Sequence, residues 1–367
     1  MTDIAWSNLS NQALGVAGLV YGLALLTYLF EWAFLRRRDH PEVSQVKVAE
    51  TVGAPETVGT PESVGTAEPV GEESTRAEFA GRLALLLTVI ACGVHGVSVF
   101  GRGMAADPNR VPWSNMYEFT LTGTFMVVLL YVLTVSRLKL AWMGPWVVGF
   151  ALTALTADVV WLYEEVVPLG EALESPWLVI HVVSAIIATA AFTLGGIASI
   201  LYLVKERWGT HETGYLARIP SLAGLDRVSY RMHAFAFPVW TFAVLITGPI
   251  WAHQAWSSYW SWDPKEVWAF ITWVVYAAYL HARATAGWKG RHAAYLAIVG
   301  LLTLWFNFIG INFFSSSSQH SYAAPSSLGV VVGASAVDVT QEVGVVVGGN
   351  QSGALLGGAG AAPFDQA

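Results

Sequence analysis

One cysteine, Cys92, stands in a chain of 367 residues. It lies inside an apolar run, so no intrachain disulfide can form, and small apolar packing is its expected role. There is no C-x-x-C-H, the pattern to which haem is covalently attached, so the chain is not itself a c-type cytochrome. Phosphate-cradling glycine loops and the G-x-S-x-G nucleophile turn are also missing, which argues against nucleotide-driven pumping and serine hydrolysis by this subunit. Charge is scarce: only 12% of residues are Asp, Glu, Lys or Arg, whereas 54% are hydrophobic and the mean hydropathy is +0.51.

These proportions describe an all-α polytopic membrane protein. Apolar runs of about 20 residues, enough to cross a hydrocarbon core of ~30 Å, recur along the chain. Eight spans are expected, near residues 12–35, 82–100, 117–136, 142–162, 177–204, 234–252, 266–286 and 292–314. Short cytoplasmic loops carry the excess of Lys and Arg. Most of the 19 basic residues fall on one side, and Arg102, Arg110 and Lys265 fall on the other. Both termini are therefore expected outside the cytoplasm. The net charge of −7 says little about partners, because it mixes two surfaces that never share a solution.

The organisation follows from composition. Residues 1–35 read as a first membrane anchor, retained because it is long, lacks a basic leader and ends at Arg36, Arg37 and Arg38. Residues 36–81 contain the repeated tract AETVG, APETVG, TPESVG, TAEPVG and read as a disordered cytoplasmic linker. Residues 82–323 form the main membrane domain, and 324–367 a Gly-, Ala-, Val- and Ser-rich external tail.

The most improbable stretch is WAHQAWSSYWSWDPKEVWAFITW, residues 251–273, with six tryptophans in 23 residues. Asp263-Pro264-Lys265-Glu266 has an ordinary reading as a helix start: a cap, a first-position proline and a capping-box glutamate. An interfacial belt would account for one or two of the indoles. It does not require Trp256, Trp260 and Trp262 together in one loop. The cluster instead suggests a flat aromatic platform for a large planar ligand.

Nine histidines are present. His40, His211, His233 and His292 sit in cytoplasmic loops or at inner helix ends and read as ordinary; His95 lies deeper, in the second span. His181, one turn into the fifth span, and His320, just past the eighth, share the outer face with the tryptophan loop. Two axial imidazoles from such positions would hold an iron porphyrin against the indoles. His281 lies about 22 Å along the seventh helix, at 1.5 Å per residue, near the cytoplasmic leaflet. It has either a structural hydrogen bond within the bundle or a metal whose second ligand comes from another chain.

The 251–273 segment resembles the tryptophan-rich "WWD" signature of the CcsA/ResC family of system II cytochrome c maturation. PWSNMYEF, SPWLVIHV, LDRVSYRMHAFAFPVWT, YLHAR and INFFSSSSQHSYA match as well, so that the resemblance covers most of residues 80–323. It implies that His181 and His320 ligate haem b beside a platform of Trp251, Trp256, Trp260, Trp262 and Asp263. It also implies that His281 serves an inner haem site completed by a ResB/Ccs1-type membrane partner. His253 stands where the family accepts Asn. The implied function is to present haem at the outer face of the plasma membrane to the CxxCH motif of an apocytochrome c, with thiol-reducing proteins acting indirectly and Arg102 and Arg110 as partners for the haem propionates. No nucleic-acid partner is expected. The alternatives are a bis-histidine b-type cytochrome that passes electrons, and a haem transporter without a synthase role.

Overall fold

A computed structural model describes residues 2–37, 70–166, 175–209 and 215–314. His320, most of the linker and the tail after residue 324 lie outside the described residues. The described chain is helical, with no strand among those residues. Its elements are α1 (Asp3–Arg37), α2 (Val70–Met104), α3 (Met116–Thr134), α4 (Gly144–Ala157), α5 (Pro176–Trp208), the short α6 (Tyr215–Arg218), α7 (Leu222–Thr241), α8 (Gly248–Trp256), α9 (Pro264–Thr285), α10 (Arg291–Trp305) and the short α11 (Ile311–Phe314).

Seven helical stretches are long and apolar enough to cross a membrane, among them Leu222–Trp256, which joins α7 and α8. They coincide with seven of the eight expected spans. The remaining expected span is α9, whose 22 residues give about 33 Å of helix. Its end turns carry Lys265, Glu266, His281 and Arg283, which dilute its apolarity. α2 begins at Val70 rather than near residue 82, so residues 70–81, expected in the linker, are helical.

Small side chains set the packing, as lipid supplies no hydrophobic drive between helices. α1 and α2 pair along Ala17, Ala24, Ala84 and Ala91, all fully buried, and Ser10 donates to the Ser98 carbonyl at 2.8 Å. α5 is the central helix, against α3, α7 and α10. Its Gly195 leaves room for the His233 ring and its Gly196 for Leu301.

Three segments wind more loosely than an α-helix, with π geometry: Asp158–Leu162 after α4, Phe242–Thr247 between α7 and α8, and Phe306–Gly310 after α10. Such turns cluster at functional sites, because the extra residue frees backbone groups from the regular ladder.

Candidate functional site

The tryptophan-rich segment is built around the start of α9. Asp263 caps it, accepting from the Lys265 N–H at 2.9 Å, while Glu266 accepts from the Asp263 N–H at 3.1 Å, closing the expected capping box. The Glu266 carboxylate also accepts from the Ser261 N–H at 2.9 Å, which folds the preceding loop back onto the helix. Trp262, caught between these contacts, has a φ of 59°, a left-handed conformation that bulky side chains rarely adopt. Its indole is 73% exposed.

Beside this loop lies a partly open cleft of about 170 Å³, walled by His181 of α5, Trp240 of α7, Trp251 of α8, Tyr259 and Trp260 of the loop, and Phe308. The wall is mainly apolar, as those of cofactor sites are. The polar groups on the wall include Lys265, Glu266 and Asn307.

His181 is held from behind. Its Nδ1–H donates to the Ala243 carbonyl at 2.9 Å, and the ring stacks on Trp251 at 6.0 Å between centroids with 14° between planes. A carbonyl acceptor on Nδ1 sets the tautomer and leaves the lone pair on Nε2, the usual arrangement for an imidazole that ligates a metal. The carbonyl belongs to the π turn Phe242–Thr247. Trp251 is itself buried and rests edge-on against Trp256, 4.9 Å between centroids. The π turn and α8 thus converge on one imidazole.

The other predicted residues are distributed unevenly. Trp251 and Trp260 line the cleft, Trp256 supports Trp251, and Trp262 packs edge-on against Trp260 at 5.9 Å on the outer side. His253 is exposed and stacks on Tyr259, 4.2 Å between centroids. Arg102 and Arg110 do not line the cleft. They converge on Glu118, at 3.0 Å from Arg102 Nε and 2.6 Å from Arg110 Nη1, and Ser114 adds its N–H and hydroxyl to the same carboxylate. The cation that lines the cleft is Lys265, whose charge the sequence reading assigned only to the helix start. Tyr259, Trp240 and Phe308 were also not anticipated.

His281 is exposed, on the same outward stripe of α9 as Phe270 and Val274. A hydrogen bond from its side chain within the bundle is not seen among the described residues. Fifteen residues of helix, about 22 Å, separate it from Glu266 at the cleft wall. The two histidines buried inside the bundle are committed to backbone carbonyls. His95 Nε2–H donates to Leu121 at 3.1 Å, with its Nδ1 3.4 Å from the Tyr21 hydroxyl, and His233 Nδ1–H donates to Ser229 at 2.6 Å.

Long apolar helices with an indole-walled cleft among them define a multi-pass helical membrane protein. The sequence profile of the cytochrome c assembly proteins matches residues 113–318, which span every wall of the cleft, and the chain belongs to that family. Relatives called cytochrome c biogenesis protein CcsA are similar across most of their length. That of Synechococcus sp. (strain JA-3-3Ab) is 33% identical over 276 residues, 59% of this chain and 78% of the relative. Its counterpart in Guillardia theta is 37% identical over 259 residues, 64% and 83%. In Porphyra purpurea the figures are 32% over 285 residues, 66% and 87%. Among solved structures, a cytochrome c haem lyase CcmF chain aligns with 85% of this chain and 49% of its own length, with a TM-score of 0.49 and 14% identity.

Proposed function

We propose that the cleft holds haem b as a substrate at the outer face of the plasma membrane and presents it to an apocytochrome c. The observation that carries this reading is His181, set on the cleft wall with Nδ1 bonded to a carbonyl and its ring stacked on Trp251. That arrangement gives an axial ligand both its tautomer and its orientation. His320, six residues beyond the last described residue, is the second axial ligand.

The chemistry required of this chain is modest. Each cysteine thiol of CxxCH adds its S–H across a haem vinyl group, so one C–S and one C–H bond form and no electrons leave or enter. The thiols must arrive reduced, which is the task of separate thiol-reducing proteins. This chain contributes position: Trp251, Tyr259 and Trp260 bound the plane, His181 fixes the iron side, and Lys265 offers an ammonium to a propionate. Arg102 and Arg110, which share the Glu118 carboxylate, hold the outer ends of α2 and α3 together.

His281 belongs to a second, inner haem site shared with a ResB/Ccs1-type membrane partner. Its exposure on an otherwise apolar stripe and its distance from the cleft support this reading. Residues 82–323 constitute the assembly domain, with 1–35 an anchor and 324–367 an external tail, and the cytoplasmic linker of 36–81 ends in the helical residues 70–81 that begin α2.

The test is His181→Ala in cells that carry the partner. Mature cytochrome c should vanish while the protein remains inserted at its normal level, and added imidazole should restore part of the yield by occupying the vacated iron position. Undiminished maturation without imidazole would overturn the assignment of the cleft.

A further inference from the structure

The loop between α2 and α3, residues 105–115, is fastened at several points. Arg110 donates its backbone N–H to the Gly103 carbonyl at 3.1 Å, which turns the chain back onto the end of α2. At the other end Asn115 caps α3, accepting from the Glu118 N–H at 2.8 Å. Between these points the Thr122 hydroxyl donates to the Pro112 carbonyl at 2.8 Å. The Glu118 carboxylate accepts from the Ser114 N–H at 3.0 Å and from its hydroxyl at 2.9 Å. The residues on both sides of Trp113 are therefore held by side chains from the first two turns of α3.

The clamp is a strong one. Ser114, Glu118 and Thr122 are all buried, and hydrogen bonds to a carboxylate are stronger than those between neutral groups. Unmaking one of them would leave a buried polar group without a partner. Arg102 and Arg110 bond the same carboxylate, so Glu118 cannot swing away from the loop without breaking both pairs.

What the clamp holds is an indole. Trp113 is 6% exposed and belongs to one buried cluster with Leu178, Val182 and Ile186 of α5 and Trp251 of α8. Val182 and Trp251 line the cleft and His181 stacks on Trp251, whereas Trp113 is not on that wall. Close-packed side chains have few voids to move into, so a change in one is passed to its neighbours. We propose that Trp113, clamped by Thr122 and Glu118, is a positioning residue for the cleft: it backs the cluster that contains Trp251 and so sets the plane of the His181 imidazole. The role presupposes His181 as an axial ligand, as proposed above.

The experiment uses the full chain purified in mild detergent and titrated with haem b. Electron paramagnetic resonance of the ferric state is recorded with each titration, because its g-values follow the orientation of the axial imidazole planes. Trp113→Phe should weaken haem retention about two- to tenfold, the worth of one aromatic pair, and shift the g-values. Thr122→Val, which keeps the branched shape and deletes the donor to Pro112, should shift them in the same direction, and Thr122→Ser should restore the unaltered spectrum. Trp161→Phe, at an indole 73% exposed, should change neither retention nor spectrum. An unshifted spectrum in Trp113→Phe overturns the proposal, even where thermal unfolding or retention falls, because Trp113 would then only fill space. His181→Ala separates the two assignments. A shifted spectrum there beside an unshifted one in Trp113→Phe overturns the positioning role alone, whereas an unshifted spectrum in His181→Ala removes the axial ligand and the positioning role with it.

Discussion

One backbone oxygen decides where the His181 ring points. The Ala243 carbonyl accepts from His181 Nδ1 at 2.9 Å, from the Thr247 hydroxyl at 3.0 Å and from the Gly248 N–H. Gly248 is the residue that permits this, because a β-carbon there would sit 3.1 Å from that oxygen and 3.2 Å from the imidazole. Gly248→Ala should push the ring off its carbonyl, lower haem retained by the purified protein several-fold and alter the ligation spectrum. Gly149→Ala, at a helical glycine with nothing within 4 Å, serves as the comparison and should leave haem content unchanged. Identical spectra for the two variants would remove Gly248 from the account. His181 and Trp251 could be singled out in the sequence, the first because an ionisable ring inside an apolar run is costly to place without use, the second because six indoles in 23 residues exceed what an interfacial belt needs. Gly248 and Tyr259 were not legible, because nothing local marks a glycine that serves a side chain 67 positions earlier. Which indoles face the cleft depends on loop dihedrals such as that of Trp262, and no pattern in the segment encodes them.

At the scale of elements, α9 joins two regions. Its first turn carries Lys265 and Glu266 on the cleft wall. Its last turns carry His281 outward and Arg283 inward, where both guanidinium nitrogens bond the Asp226 carboxylate at 2.7 and 3.0 Å. Asp226 also accepts from the Gly290 N–H at 3.2 Å, so α7, α9 and the start of α10 are tied at that end. His281→Ala leaves this tie intact, and the variant should fold, insert and bind its partner normally. Haem recovered with the complex should nevertheless fall sharply, and supplying haem from the outside should refill the cleft. Full haem occupancy in the unsupplied variant would reduce His281 to a lipid-facing residue. The capping box and seven spans could be read directly, because caps and long apolar runs are local signals. The π turns could not be: within an uninterrupted apolar run, one surplus residue changes no hydrophobic pattern.

The molecule as a whole has two chemically different ends. The tryptophan cleft and Lys265 occupy one, and Arg82, Arg218 and most of the remaining cations the other. The excess of Lys and Arg leads to the expectation that the second end faces the cytoplasm. Cys92 is the sole cysteine and is buried, so introduced thiols can be labelled with little background. A membrane-impermeant maleimide should modify Ser258→Cys in intact cells and spare Lys289→Cys until the membrane is opened; the reverse pattern would invert the topology and exclude an outer haem cleft. Charge counting did not anticipate one pairing: Arg102 and Arg110, read as partners for haem propionates, both bond Glu118 three residues into α3. A carboxylate at the start of an apolar span looks like a helix-start residue until the fold brings two distant cations to it.

The π turn at Phe242–Thr247 makes the geometry of the cleft depend on residue count rather than residue type. An α-helix advances about 100° per residue. A residue removed from a regular helix would turn everything after it by roughly that angle, whereas the π turn absorbs one surplus residue, so removing Leu245 alone would close the segment into a regular helix with Trp251 still on the face it shares with His181. The regular ladder would instead draw the Ala243 carbonyl away from His181 Nδ1, although every side chain of the platform would still be present. An insertion or deletion in this hexapeptide should therefore be far more damaging to haem retention than any conservative substitution in it. Equal haem retention by the Leu245 deletion and by Leu245→Val would show that the turn only fills space.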